Sequence, residues 1–290
     1  MFAFLKRQPD FLIVGAQKAG TSSLESFLSQ HLRIACANKK EVGFFSRDRV
    51  YNRGAGWYAR QFPHRRRPGV QLFEATPEYL YYPFVAERIA RFNPRMKAII
   101  LLRNPVERAF SAWNMFRQMH ADPVIRDSTI KEYIEDGNPD AKVPVMELLG
   151  RKQFPDFHSC VEDEINALRT DTARALEPSF VRRGLYYEQV QRFYQQFSRE
   201  NILVLESAEL KRDRAAALNR VLGFLGLPSE WKQQNALPDQ HVSQYDSPMA
   251  ESTRRVLQEF FEQPNARLYE AIWRAFDWDR SRVRPSGKFN

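Results

Sequence analysis

The chain has 290 residues, 43% of them hydrophobic, with five tryptophans and 22 phenylalanines, enough to bury a sizeable core and too apolar for a disordered or low-complexity protein. Its formal net charge of +9 suits an anionic ligand or a generally basic surface, but the basic runs at Arg65 to Arg67 and Arg280 to Lys288 are short, which argues against a nucleic-acid partner. No stretch approaches the roughly 20 apolar residues of a bilayer span, Met1 to Arg7 is too short for a secretory signal, and Cys36 and Cys160 fit neither a metal-ligand spacing nor a disulfide framework. A soluble, cytoplasmic protein is expected.

Phe11 to Val14 reads as a short buried strand, Gly15 to Gly20 as a loop closed by two glycines, and Leu24, Phe27 and Leu28 repeat at helical spacing. In a strand, loop and helix of this kind the glycines let backbone approach a ligand, and the first helical N–H groups lack internal partners. An anion fits there. Lys18 adds a full positive charge, while Ala19, Gly20, Thr21, Ser22 and Ser23 supply backbone and hydroxyl donors. A nucleotide-triphosphate loop would instead place the lysine directly after the second glycine and follow it with a Mg²⁺-binding Ser or Thr; here Lys18 precedes Gly20. Taken alone, the stretch also reads as a helix start capped by Thr21 with Lys18 in solvent.

Arg33 to Ala37 predicts a second strand, and Lys40-Glu41-Val42-Gly43-Phe44-Phe45 follows as a polar turn into an aromatic pair. Val70 to Phe73 predicts a third strand, stopped at Pro77, and Pro83 to Phe92 a helix. Lys97 to Leu102 is a continuous apolar run, as a central parallel strand requires. It breaks at Arg103-Asn104-Pro105, after which Val106, Phe110 and Trp113 mark a helix with proline in its first turn. This second strand, loop and helix predicts Arg103 at the same carboxyl edge as Lys18, where open α/β folds bind ligands. Residues 121–144 are polar with weak periodicity and predict a surface excursion bordering the cleft. Helices are expected over Phe157 to Leu176, Tyr187 to Phe197 and Ala215 to Leu225, with a strand over Asn201 to Glu206. Leu237 to Pro248 reads as irregular, Thr253 to Phe261 and Ala266 to Phe276 as two further helices, and 280–290 as a tail. The expectation is one α/β domain over 1–290, in three layers around a central parallel sheet, with a P-loop-like strand order of events along the chain.

These residues resemble the sulfotransferases that use 3′-phosphoadenosine 5′-phosphosulfate (PAPS), in particular the branch of the heparan sulfate sulfotransferases and their bacterial relatives. Gly15 to Ser23 is similar to the loop that holds the 5′-phosphosulfate, Leu102 to Ser111 to the segment that holds the 3′-phosphate, and Lys40 to Phe45 to the segment whose glutamate is the catalytic base. The resemblance implies Glu41 as base, Lys18 as the cation that assists departure of adenosine 3′,5′-bisphosphate, Arg103 and Ser111 on the 3′-phosphate, and no metal. Phe260 to Tyr269 and Phe276 to Trp278 resemble the family's C-terminal helical region, and Arg183 aligns loosely with a cleft-lining stretch as a substrate contact. The chain departs from the heparan-type pattern at Ala75, where a lysine is usual, at Gly43, where histidine is frequent, and over Asp239 to Ser247, where a glycine- and lysine-rich cofactor loop has no counterpart. The implied acceptor is a hydroxyl on a glycan or a small molecule. The rival readings are a P-loop kinase or NTPase, and a polyanion-binding protein without turnover.

Overall fold

The structure, a computed structural model, describes residues 7–64, 67–136, 139–170, 178–228, 245 and 247–278. Five strands form one sheet: β1 (Phe11–Gly15), β2 (Ile34–Cys36), β3 (Gln71–Ala75), β4 (Lys97–Leu102) and β5 (Ile202–Glu206). Their spatial order is β2-β3-β1-β4-β5, and every pairing is parallel. Parallel strands need crossovers, which cover both faces of the sheet. The central strands accordingly have no polar face: all of β1 is buried, as is β4 after Lys97.

Helices fill the crossovers. They are α1 (Thr21–Leu28), α2 (Asp48–Tyr51), α3 (Gly54–Ala59), α4 (Val85–Phe92), α5 (Pro105–Ala121), α6 (Pro123–Asp136), α7 (Pro139–Leu149), α8 (Phe157–Arg169), α9 (Tyr186–Gln196), α10 (Ser207–Arg212), α11 (Arg214–Leu225) and α12 (Glu251–Ile272). The main core packs the sheet against Leu24, Phe27, Ile89, Val190, Phe193, Leu218 and Leu222. A second cluster joins α5, α8 and α12 through Val106, Phe110, Phe157, Val161, Leu257 and Phe261. The result is a three-layer α/β fold with a P-loop-like arrangement, as expected from the sequence.

Three segments differ from the sequence expectation. Residues 121–144, whose weak periodicity predicts no particular element, contain helices: Asp122 accepts from Val124 N at 2.9 Å and Ile125 N at 3.1 Å, and Pro123 opens α6. Capping starts this helix although its weak amphipathicity leaves little periodic signal. The two C-terminal helices expected on either side of Pro264 are one helix, α12. Leu257, Phe261 and Leu268 bury one continuous face, which outweighs the backbone hydrogen bond that Pro264 cannot donate. That helix ends at Ile272 rather than Phe276, where Trp273 turns to φ 55°. The tail 280–290, residues 171–177 and most of the stretch expected to be irregular, 237–248, lie outside the described residues.

Candidate active site

The chain passes from β3, on one side of β1, to β4 on the other, so the carboxyl ends of these strands form the crevice of a topological switch point. A cleft of about 710 Å³ opens there. Each strand sends residues into it: Gln17 to Ser23 after β1, Lys40, Glu41, Ser46 and Arg47 after β2, Pro77, Glu78 and Tyr82 after β3, Arg103 and Ser111 after β4, and Ser207, Leu210 and Lys211 after β5.

The loop after β1 is held by its own backbone and by β4. Ala16 N donates to Leu101 O at 2.6 Å, and Ala19 N to Ala16 O at 3.1 Å. Gly15 is required by a close approach, because a Cβ there would lie 2.6 Å from Leu80 Cβ and 3.0 Å from Pro77 O. Gly20 (φ 94°) caps α1, and no side chain occupies the cap; Thr21 is the first helical residue rather than the cap. The first-turn N–H groups therefore face the loop as an anion site. Lys18 adopts φ 67°, a backbone conformation unfavourable for a side-chain-bearing residue. Burial lowers its pKa, and Arg103 and Arg108 add to that effect. Such a cation is short of counter-charge, so an anion in the loop supplies what the protein withholds.

Arg103 reaches this loop directly, donating from Nη1 to Lys18 O at 3.2 Å. Its own carbonyl accepts from Tyr186 Oη at 2.9 Å. Asn104 caps α5 by accepting from Val106 N at 2.9 Å and donates to Trp278 O at 3.3 Å, while Trp278 Nε1 donates to Glu206 at 2.7 Å. The buried Trp278 thus braces the ends of β4 and β5. Ser111, two turns into α5, is 3% exposed and lines the cleft.

Glu41 lies on the opposite side, in a loop anchored by aromatic packing. Phe44 stacks on Tyr58 with ring centroids 4.3 Å apart, and Phe45 meets Tyr79 edge-on at 5.5 Å. Beneath them Glu74, 1% exposed, accepts from Tyr58 Oη at 2.6 Å, Thr76 Oγ1 at 2.7 Å and Tyr79 Oη at 2.8 Å. Two of those hydroxyls also accept backbone N–H groups: Thr76 from Gly43 at 3.3 Å, and Tyr79 from Phe45 at 3.3 Å. A fully buried carboxylate with three hydroxyl donors and the Val42 backbone N–H therefore fixes the residues that follow Glu41, which takes φ 53°. The Glu41 residue is open to the cleft, yet the protein around its carboxyl is dense enough that burial raises its pKa; the Glu78 charge raises it further, against Lys40 and Arg47.

All the sequence-predicted residues from Lys18 to Ser23, together with Glu41, Arg103 and Ser111, line this one cleft. Arg183 does not. It is 4% exposed, and its guanidinium stacks 4.2 Å from the Tyr81 ring, behind the cleft wall. Sequence reasoning missed Lys40, which reaches back to α1 through Ser22 Oγ and Glu25 at 3.7 Å, and it missed Arg47, Glu78, Tyr82, Glu132, Tyr133 and Lys211. Glu78 was within reach of the rule that marked Arg103, since it follows a strand end; Glu132 had no comparable signal.

Residues 8–256 match the sulfotransferase domain family model. The chain is 30% identical over 227 residues to a human bifunctional heparan sulfate N-deacetylase/N-sulfotransferase 2; the match covers 76% of this chain and 22% of that enzyme. The chain thus spans about a fifth of the length of those heparan sulfate relatives. It is 24% identical over 321 residues to the membrane-associated sulfotransferase kil1 of Dictyostelium discoideum, covering 93% of this chain and 66% of that one. Among solved structures, a sulfotransferase from Alicyclobacillus acidocaldarius matches with a TM-score of 0.65 at 29% identity, covering 94% of this chain and 99% of that one.

Proposed function

The chain belongs to the sulfotransferase family, and from that premise we propose that it moves the sulfuryl group of PAPS onto a hydroxyl acceptor, with Glu41 as base. The observation that carries this reading is the meeting of two anion-binding loops and one carboxylate in a single cleft of about 710 Å³. The donor set suits the nucleotide: an open helix N-terminus, a half-buried lysine, an arginine and several hydroxyls converge, and sulfate and phosphate oxygens accept from all of them. When bound, PAPS supplies the sulfuryl group and leaves as adenosine 3′,5′-bisphosphate.

The chain's own residues divide the work. Lys18, Gly20 and the first-turn donors Thr21 to Ser23 hold the phosphosulfate and neutralise the charge that gathers on the departing phosphate, with Ala19 shaping the loop through its bond to Ala16 O. Arg103 and Ser111 grip the 3′-phosphate, a planar guanidinium matching two phosphate oxygens. Glu41 accepts the acceptor's hydroxyl proton at its carboxylate, and its raised pKa makes it a stronger base than an ordinary glutamate. Strand order supports an in-line arrangement, with the loop of β1 in the middle, Glu41 towards β2 and β3, and Arg103 towards β4 and β5. A single domain over 1–290, a cytoplasmic location, and a small-molecule or glycan acceptor with no nucleic-acid partner belong to the same proposal. Lys18 stands before Gly20 rather than after it, which counts against a kinase or NTPase.

The test is transfer of label from ³⁵S-PAPS to a panel of alcohols. Labelled sulfate ester and adenosine 3′,5′-bisphosphate should appear in equal amounts. Binding without turnover across the panel would instead identify a polyanion-binding protein, and phosphoryl transfer from ATP would identify a kinase.

A further inference from the structure

The half of the cleft around Glu41 has an electrostatic character opposite to that of the whole chain. Glu41, Glu78 and Glu132 all line it, against Arg47. Arg47 is committed to two of them: Nε lies 3.3 Å from Glu78 Oε1, and Nη1 lies 3.0 Å from Glu132 Oε1. Ser46 Oγ also donates to Glu78 Oε1, at 2.5 Å. Lys40, the other cation lining this side among the described residues, turns towards Ser22 and Glu25 of α1. Arg183 lies behind Tyr81 and Tyr82 and does not line the cleft. Among the described residues, carboxylates are therefore in excess where an acceptor would sit beside the base.

This arrangement is built into the backbone. Gly43 (φ 66°) leaves the space that Arg47 fills, since a Cβ at 43 would lie 2.8 Å from Arg47 Cδ and Nε. Arg47 then bridges the Glu41 loop to α6, which supplies Glu132 and Tyr133, while the turn after β3 supplies Glu78 and Tyr82. Met115, Phe116 and Met119 of α5 complete an apolar wall. Rings and thioethers pack against the apolar face of a ligand, and carboxylates held by arginine accept from its hydroxyls.

On the reading of the chain as a PAPS-dependent sulfotransferase, we infer that its acceptor is an uncharged alcohol with an apolar or ring face, and that Glu78 and Glu132 exclude anionic acceptors such as sulfated or uronic-acid glycans. The excess positive charge of the chain attracts polyanions to the outer surface at long range. Selection takes place in the cleft, where a carboxylate or sulfate on the acceptor would face like charges in a partly desolvated recess.

Matched acceptors test this: 4-nitrophenyl β-xyloside against 4-nitrophenyl β-glucuronide, which share the same three hydroxyls and differ by the carboxylate on C5, and benzyl alcohol against 4-(hydroxymethyl)benzoate. Each is titrated calorimetrically into protein loaded with adenosine 3′,5′-bisphosphate, and transfer from PAPS is then measured. The uncharged member should bind and react at least about tenfold better in each pair, and the double variant Glu78→Gln with Glu132→Gln should narrow that ratio about fivefold or more by relieving repulsion of the anionic member. An anionic member that binds as well as its partner, or a ratio unchanged in the double variant, overturns the inference. Failure of the underlying reading looks different: either the bisphosphate does not bind, or it binds and neither member of any pair accepts label from PAPS.

Discussion

The cleft has two halves built by different means. On the β4 and β5 side, and in the loop of β1 between the halves, the donors suited to an anion come largely from backbone: a helix N-terminus, a glycine cap and loop amides, with Lys18 and Arg103 three residues and one residue past strand ends. On the β2 and β3 side the chemistry belongs to side chains from well-separated segments, tied together by the Glu74 hydroxyl network and the Arg47 ion pairs. On the proposed reading, the first half holds the sulfuryl donor and the second faces the acceptor. A strict backbone frame suits the donor, and an adjustable set of side chains suits the acceptor.

Substitutions can separate the halves. Glu41→Gln should lower the transfer rate by about 10²- to 10⁴-fold, the range for loss of a general base, while leaving thermal stabilisation by adenosine 3′,5′-bisphosphate unchanged; a rate near wild type would remove Glu41 from the reaction. Lys18→Met should reduce kcat by roughly 10²- to 10³-fold, as for loss of one charge-stabilising donor, and should also weaken the bisphosphate shift, so that one variant marks the junction of the halves. Arg103→Ala should act on affinity, raising the bisphosphate Kd by about 10- to 100-fold for a lost charge-assisted hydrogen bond, with little change in the rate at saturation. Glu74→Gln places an amide donor against hydroxyls that now donate to a carboxylate. It should cost about 1–3 kcal/mol of stability in denaturant titration and lower kcat by loosening the base loop, with the bisphosphate Kd unaltered.

The smallest expected effect is on pH dependence. Glu41 must be ionised to accept a proton, and burial together with Glu78 raises its pKa. Transfer should therefore fall as pH drops through a value above the ordinary glutamate range. Glu78→Gln removes one of the raising influences, so the acid limb of kcat/KM should move to lower pH; a shift upward, or none, would show that Glu78 does not act on the base. Lys18, whose pKa is lowered, should set the alkaline limb in the same profile.

The difference between the halves also explains what could be read from the sequence. Lys18 to Ser23 and Arg103 follow strand ends, where apolar runs, glycines and Pro105 mark position directly, so local pattern pointed to them; Ser111, two turns into α5, was reached through the resemblance. Glu41 was reached through the resemblance of Lys40 to Phe45 rather than from charge or spacing. Arg47, Glu78 and Glu132 come together only because Gly43 leaves room for a guanidinium and α6 folds back over the base loop, which no local pattern encodes. Arg183 illustrates the converse: a loose alignment with a cleft-lining stretch of the family suggested a substrate contact, whereas packing turns it inward onto Tyr81. The fold was legible at β4, whose bounds match its apolar run, and misread at α12, where tertiary packing carries a helix through Pro264.

The most direct test of the central claim, that Lys18, Arg103 and Ser111 form one site for a nucleotide with separated anionic groups, is the rise in melting temperature with each nucleotide at equal concentration. Ligands stabilise the native state by mass action. Adenosine 3′,5′-bisphosphate without added metal should raise the melting temperature well above the value with ATP and Mg²⁺, and Arg103→Ala should remove most of that rise. An equal or larger rise with ATP and Mg²⁺ would contradict the account.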